Sequence, residues 1–101
     1  MRVITLDFET FWSSRDYTLS KMGPIEYVRD PRFHVQLLGV RVDRGCVNVY
    51  EPHEIHEALK VLGLEAPGTV VVGHNLHGFD ALVLSERVGI RPKYMVDTLA
   101  L

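Results

Sequence analysis

Asp7 and Glu9 stand two residues apart in an otherwise apolar segment, Val3-Ile4-Thr5-Leu6-Asp7-Phe8-Glu9. Residues at that spacing on a strand project to the same side. Two carboxylates in apolar surroundings are costly unless they are paired or bind metal. A third acid, Asp80, closes His74-Asn75-Leu76-His77-Gly78-Phe79-Asp80, which follows a second apolar run, Thr69 to Gly73. If the two runs pack as parallel neighbours, Asp80 comes beside the end of the first. Three carboxylates held this way suit Mg²⁺, which takes oxygen ligands in octahedral geometry and often shares them with substrate phosphate. Two such ions ~3.5–4 Å apart activate water and stabilise the leaving oxygen in phosphodiester hydrolysis.

Each part alone says little. Asp-x-Glu is short enough to recur by chance. Asp80 alone reads as an acid complementing a helix N-terminus, and Asn75 alone as a turn residue after a strand. The combination is more specific than any part.

The elements that must position these groups follow from hydrophobic pattern and breakers. Residues 2–8 read as a buried strand and 12–24 as an irregular loop. Residues 25–29 read as a short helical turn ended by Asp30-Pro31. Residues 34–42 and 47–50 read as a hairpin around Asp43-Arg44-Gly45-Cys46. Pro52 suits a first helical turn and Gly63 the residue past a helix end, with Ile55, Ala58, Leu59 and Leu62 at helical spacing between them. Residues 69–73 form a continuous apolar run, as buried parallel strands do. A helix over 79–88 stops at Gly89. Met95-Val96 is a short fifth strand, and Asp97 or Thr98 suits the N-cap of a helix just begun at Leu101. The expected fold class is α/β: a mixed five-stranded sheet with flanking helices, in one domain over 1–101. Ligands in such sheets bind outside the strand carboxyl ends, where Asp7, Glu9, His74 and Asn75 fall.

Composition bounds the function. The 101 residues are 47% apolar, enough for one small globular core. The net charge of −2 argues against broad electrostatic adhesion to nucleic acid. It leaves a nuclease open, because bound cations offset carboxylate charge. No apolar run approaches the ~20 residues of a membrane span, and the N-terminus meets Asp7 too early for a secretion signal. The single cysteine, Cys46, allows no intrachain disulfide.

Other features are weaker. His53 and His56, and His74 and His77, have spacing for shared zinc ligation, but no four-ligand set is evident. No phosphate-binding glycine loop is present. Arg29, Arg32 and Arg44 either contact phosphate or lie on a solvated surface. Phe11, Trp12 and Tyr17, in the loop after the acids, either stack on a frayed base or anchor the loop.

Asp7-Phe8-Glu9-Thr10 resembles the first motif of the DnaQ-like, DEDD-type 3′–5′ exonucleases. His74-Asn75-Leu76-His77-Gly78-Phe79-Asp80 resembles the second, in the spelling of bacteriophage family A DNA polymerases. The stretch from Asp7-Phe8-Glu9-Thr10 through Tyr27-Val28-Arg29-Asp30-Pro31-Arg32-Phe33 and the ending Asp97-Thr98-Leu99 also resemble the N-terminal proofreading domains of those polymerases. The resemblance spans nearly the whole chain. It implies a ribonuclease H-like fold and two Mg²⁺ or Mn²⁺ ions, with Asp7 on both, Glu9 on one and beside the attacking water, and Asp80 completing the second. It further implies that Thr10 and Phe11 lie by the 3′-terminal nucleotide and that Asn75 positions the DNA strand.

The third motif of that family, with Tyr or His ahead of a fourth acid, is missing. Tyr94-Met95-Val96-Asp97 is one residue short of it. The resemblance therefore implies a C-terminally truncated domain with an incomplete two-ion site, weak or inactive alone, and with an uncovered apolar sheet face. Two function classes stay open. One is a metal-dependent exonuclease domain acting on a single-stranded DNA 3′ end, alone or completed by a polymerase chain or a second copy. The other is a non-catalytic binding or regulatory protein that uses the uncovered face. A cytoplasmic location in an infected bacterial host goes with the phage resemblance.

Overall fold

The computed structural model describes residues 1–100. Strand β1 (Arg2–Thr10) alternates: Ile4, Leu6 and Phe8 are buried, while Val3, Thr5, Asp7 and Glu9 are exposed. The strand expected to be buried is thus buried on one face only, and both acids stand on the other. This follows from the period of two along a strand.

β2 (Val35–Val42) and β3 (Val47–Tyr50) form the expected hairpin, and β2 runs antiparallel to β1. On the other side of β1, β4 (Thr69–Gly73) is parallel, and β5 (Tyr94–Asp97) is parallel to β4. The sheet order is β3-β2-β1-β4-β5. β1 is therefore central, and its pairing of Thr5 with Val72 runs β1 and β4 toward the same end of the sheet.

Helix α1 (Pro24–Arg29) supplies Tyr27 and Val28 to the core. Helix α2 (Pro52–Leu62) begins with Pro52, carries a reciprocal Glu51–Glu54 capping box, and ends at Gly63 with φ of 65°. That left-handed conformation favours glycine. Helix α3 (Ala81–Val83) is a single turn between two π-helical turns, Leu76–Asp80 and Leu84–Val88. Ile55, Leu59, Leu76, Val83 and Leu84 pack with Ile4, Leu6 and Phe8 into one core.

The opposite sheet face carries no packed helix among the described residues, and Val3, Leu37, Val47, Val49 and Val96 are exposed. Among the described residues, no helix is long and apolar enough to cross a membrane.

The last helical segment departs most from expectation. It starts at Leu76 rather than Phe79, because Asn75 turns the chain with φ of 65° and its carbonyl already accepts the Phe79 N–H at 3.0 Å. π turns are uncommon and gather at functional sites. β5 is longer than Met95-Val96 at both ends. A 3₁₀ turn, Thr98–Ala100, stands where a helix start was expected, with Leu101 outside the described residues.

Candidate active site

β1 carries Asp7 and Glu9 toward its carboxyl end, next to the point where β4 ends at Gly73. The chain turns at Asn75, and the first π turn brings Asp80 back against Gly73. A Cβ on Gly73 would lie 3.3 Å from Asp80 Oδ2 and 3.1 Å from Leu76 Cδ1. The glycine thus leaves the room that the carboxyl occupies. Asp80 does not open a solvent-facing helix, as an ordinary N-terminal helix acid would. It is 2% exposed.

Burial pushes the Asp80 carboxyl up to about 7, and the nearby charge of Asp7 adds to that effect. Asp97 and Glu9 push the same way, while a hydrogen bond from the Phe8 backbone opposes them. A buried acid whose ionisation is opposed by like charges marks a functional-site candidate. The donors are all carboxylate oxygens, and a divalent cation would relieve the repulsion that raises Asp80. Carboxylate oxygens are the ligand type that Mg²⁺ or Mn²⁺ takes. Asp7, Glu9 and Asp80 do not bring their ligand atoms within 4.8 Å of one another among the described residues. Among the described residues, the group with ligand atoms within 4.8 Å of one another is Glu51, His53 and Glu54. That group is exposed, and Glu51 and Glu54 are engaged in capping α2.

Asp97, which the sequence offers as a helix cap and as an acid one residue short of the third motif, is a member of this neighbourhood. Its Oδ1 accepts the backbone N–H of Asn75 at 2.8 Å and of Leu99 at 3.0 Å, and its Oδ2 that of His77 at 2.9 Å. The end of β5 thereby grips the turn leading to Asp80. Its neighbour Thr98 adds a hydrogen bond to His74 Nδ1 at 3.1 Å. The available signal was an acid beside a hydroxyl at a strand end, too common to single out.

The other candidates separate. Thr10 shares a hydrogen bond with the Tyr27 hydroxyl at 3.0 Å, and that hydroxyl also donates to the Phe11 carbonyl. The Phe11 ring stacks on His34 at 4.9 Å and on Tyr17 at 6.0 Å, so it anchors the loop. Tyr17 is fully buried, stacks on Tyr27 at 4.4 Å, and donates its hydroxyl to the Tyr27 carbonyl at 2.6 Å. Trp12 is the loop aromatic left exposed. Asn75 holds its amide oxygen over Gly78 and donates its backbone N–H to Asp97.

Arg29 pairs with Glu86, and Arg32 with Asp30 and Asp16. Arg44 makes no ion pair among the described residues. The histidine pairs form no common ligand set. His53 sits with Glu51 and Glu54 on α2, and His77 approaches Asp97 at 3.8 Å.

No protein-family model matches the chain, and no curated protein matches it. Solved structures do. The crystal structure of Escherichia coli RNase D, an exoribonuclease involved in structured RNA processing, matches 95% of this chain with a TM-score of 0.62 and 19% identity. The family B DNA polymerase from the hyperthermophilic archaeon Pyrobaculum calidifontis matches 85% of it with a TM-score of 0.53 and 26% identity. The mixed five-stranded α/β sheet with flanking helices is the fold shared with these chains. The chain spans 21% of the first of those chains and 10% of the second. At such low identity the likeness to RNase D is one of fold alone.

Proposed function

We propose that this chain is a metal-dependent 3′–5′ exonuclease domain of the proofreading kind found in bacteriophage family A DNA polymerases. One observation carries the reading. A carboxyl from the far side of the sequence, Asp80, is buried against the end of the strand that bears Asp7 and Glu9, where their charges resist its ionisation.

Asp7, Glu9 and Asp80 would hold Mg²⁺ or Mn²⁺, and the ions when bound supply water activation and stabilisation of the leaving oxygen. The chain's own groups do the rest. Glu9 accepts a hydrogen bond from the attacking water. Asp80 loses its proton as the site is loaded. Asn75 and the backbone at Thr10 and Phe11 hold the strand whose 3′-terminal phosphodiester is cut. The substrate is single-stranded DNA, and the setting is the cytoplasm of an infected bacterium. The family resemblance calls for a fourth carboxylate besides these three.

The test is a titration of Mn²⁺ and Mg²⁺ against the purified chain with a 5′-labelled single strand, alongside Asp7→Ala. Metal-dependent shortening from the 3′ end that Asp7→Ala abolishes supports the reading. A folded chain that never trims, even with an added polymerase domain, overturns it. The second reading is then a non-catalytic protein that docks a partner on the open sheet face, and the exposed Leu37, Val47 and Val49 favour it.

A further inference from the structure

The loop between β1 and α1 holds the chain's single tryptophan. Its three aromatic residues have different fates. Tyr17 is buried, Phe11 is stacked between Tyr17 and His34, and Trp12 is 63% exposed. A large apolar ring gains little by standing in water, and this one is not on a slack segment. Ser13 and Tyr17 exchange backbone hydrogen bonds of 2.9 and 3.0 Å across the loop. The Lys21 ammonium ties down the Ser14 carbonyl at 2.8 Å. The Tyr17 hydroxyl fixes the loop to α1. The fold therefore holds Trp12 outward in a preset position.

Trp12 lines a cleft of about 370 Å³ whose other walls include Glu9, Leu19, Tyr27 and Phe79. The cleft is apolar on most sides and has a proposed metal ligand, Glu9, on its rim. The size lies in the range of small-ligand pockets. With a net charge of −2, the chain cannot draw a strand in mainly by neutralising phosphates. Affinity must come from contacts that ignore charge, and base stacking on an aromatic ring is the strongest of these for unpaired nucleic acid.

We infer that Trp12 is a stacking platform for an unpaired base near the 3′ end of a single-stranded nucleic acid, seated in the cleft beside Glu9. The inference rests on the exonuclease reading for the direction of the strand.

The full chain is titrated in EDTA with an unlabelled oligothymidylate while Trp12 emission is followed. A second titration follows the anisotropy of a 5′-fluorescein oligothymidylate. The expected result is quenching of Trp12 in step with binding. Trp12→Ala weakens binding about 5- to 100-fold, as removal of a stacking ring does, and Trp12→Phe keeps most of it. Because the side chain is exposed, Trp12→Ala is expected to melt like the wild type. Binding with unchanged Trp12 emission, wild-type affinity in Trp12→Ala, or no binding at all overturns the inference. Metal-dependent trimming that Asp7→Ala abolishes but Trp12→Ala leaves untouched would sink the platform and leave the exonuclease. Quenching by oligothymidylate without trimming under any metal would do the reverse.

Discussion

Asp97 accepts the backbone N–H of Asn75 at 2.8 Å across a sequence gap of 22 residues. That bond joins the end of β5 to the turn that delivers Asp80. With the bonds from His77 and Leu99, one carboxylate satisfies three main-chain donors. An asparagine at this position keeps one acceptor oxygen and turns an NH₂ toward donors.

Asp97→Asn is therefore expected to lower the melting temperature and speed amide exchange at Asn75 and His77. Burial by itself pushes the Asp97 carboxyl up, but hydrogen bonds from the backbone, that of His77 foremost, outweigh it and hold the group below its usual value. A depressed carboxyl contributes stability that is complete above the unfolded value, about 3.9, and is lost as pH falls through the folded one. The wild type's advantage over Asp97→Asn should thus be full at pH 6 and shrink toward pH 3. Equal exchange rates at pH 6 would remove Asp97 from this role.

Asp80 has the opposite sign. Its carboxyl is pushed up to about 7, so between the unfolded value and 7 the folded chain holds a proton that the unfolded chain has lost. Stability then falls as pH rises through that window, by up to about 4 kcal/mol at 1.36 kcal/mol per unit. Asp80→Asn stays neutral throughout and can still accept the Phe8 N–H. In EDTA it should melt above the wild type at pH 8 and close to it at pH 4. Adding Mn²⁺ at pH 8 should raise the wild-type melting temperature and leave Asp80→Asn and Asp7→Ala where they were. A variant less stable than the wild type at pH 8 in EDTA would contradict the strained state of this acid.

Much of this site was legible in the sequence for definite reasons. The spacing of Asp7 and Glu9 fixes their common side whatever the sheet does, and Pro52 and Gly63 bound α2 by backbone chemistry alone. The uninterrupted Val70-Val71-Val72 run gave the parallel neighbour that brings Asp80 within reach. Three things lay outside the sequence. The helical start at Leu76 depends on the left-handed turn at Asn75, which only the grip of Asp97 makes worthwhile. The burial of Asp80 depends on Gly73 having no side chain in its way. The division of Phe11, Trp12 and Tyr17 into anchors and an exposed ring depends on where α1 packs, and no local pattern carries that information.

Gly78 and Asn75 form a coupled pair. A Cβ on Gly78 would come within 2.3 Å of Asn75 Oδ1, closer than van der Waals contact allows. Gly78→Ala must displace the Asn75 side chain, at a cost of about 1–3 kcal/mol for an overpacked site. Asn75 sits at φ of 65°, which glycine adopts freely. Asn75→Gly removes the obstructing amide, so the double variant should recover most of the loss in chemical denaturation. Additive effects, with no recovery, would mean that the two residues do not share this contact.

The Tyr17 hydroxyl gives the last expectation. It is buried and donates to the Tyr27 carbonyl at 2.6 Å, and burial pushes it up to about 12, so it stays a donor across the usable pH range. Tyr17→Phe keeps the stack on Tyr27 but leaves that carbonyl without its partner, a loss of about 1–3 kcal/mol for a buried group. The effect should reach Trp12, because the Ser13–Tyr17 bridge is what sets the loop. Denaturant midpoints should fall without a change in slope, and Trp12 emission anisotropy should drop as the ring gains freedom. A loop that keeps its Trp12 anisotropy in Tyr17→Phe would show that the backbone bridge alone holds the tryptophan outward.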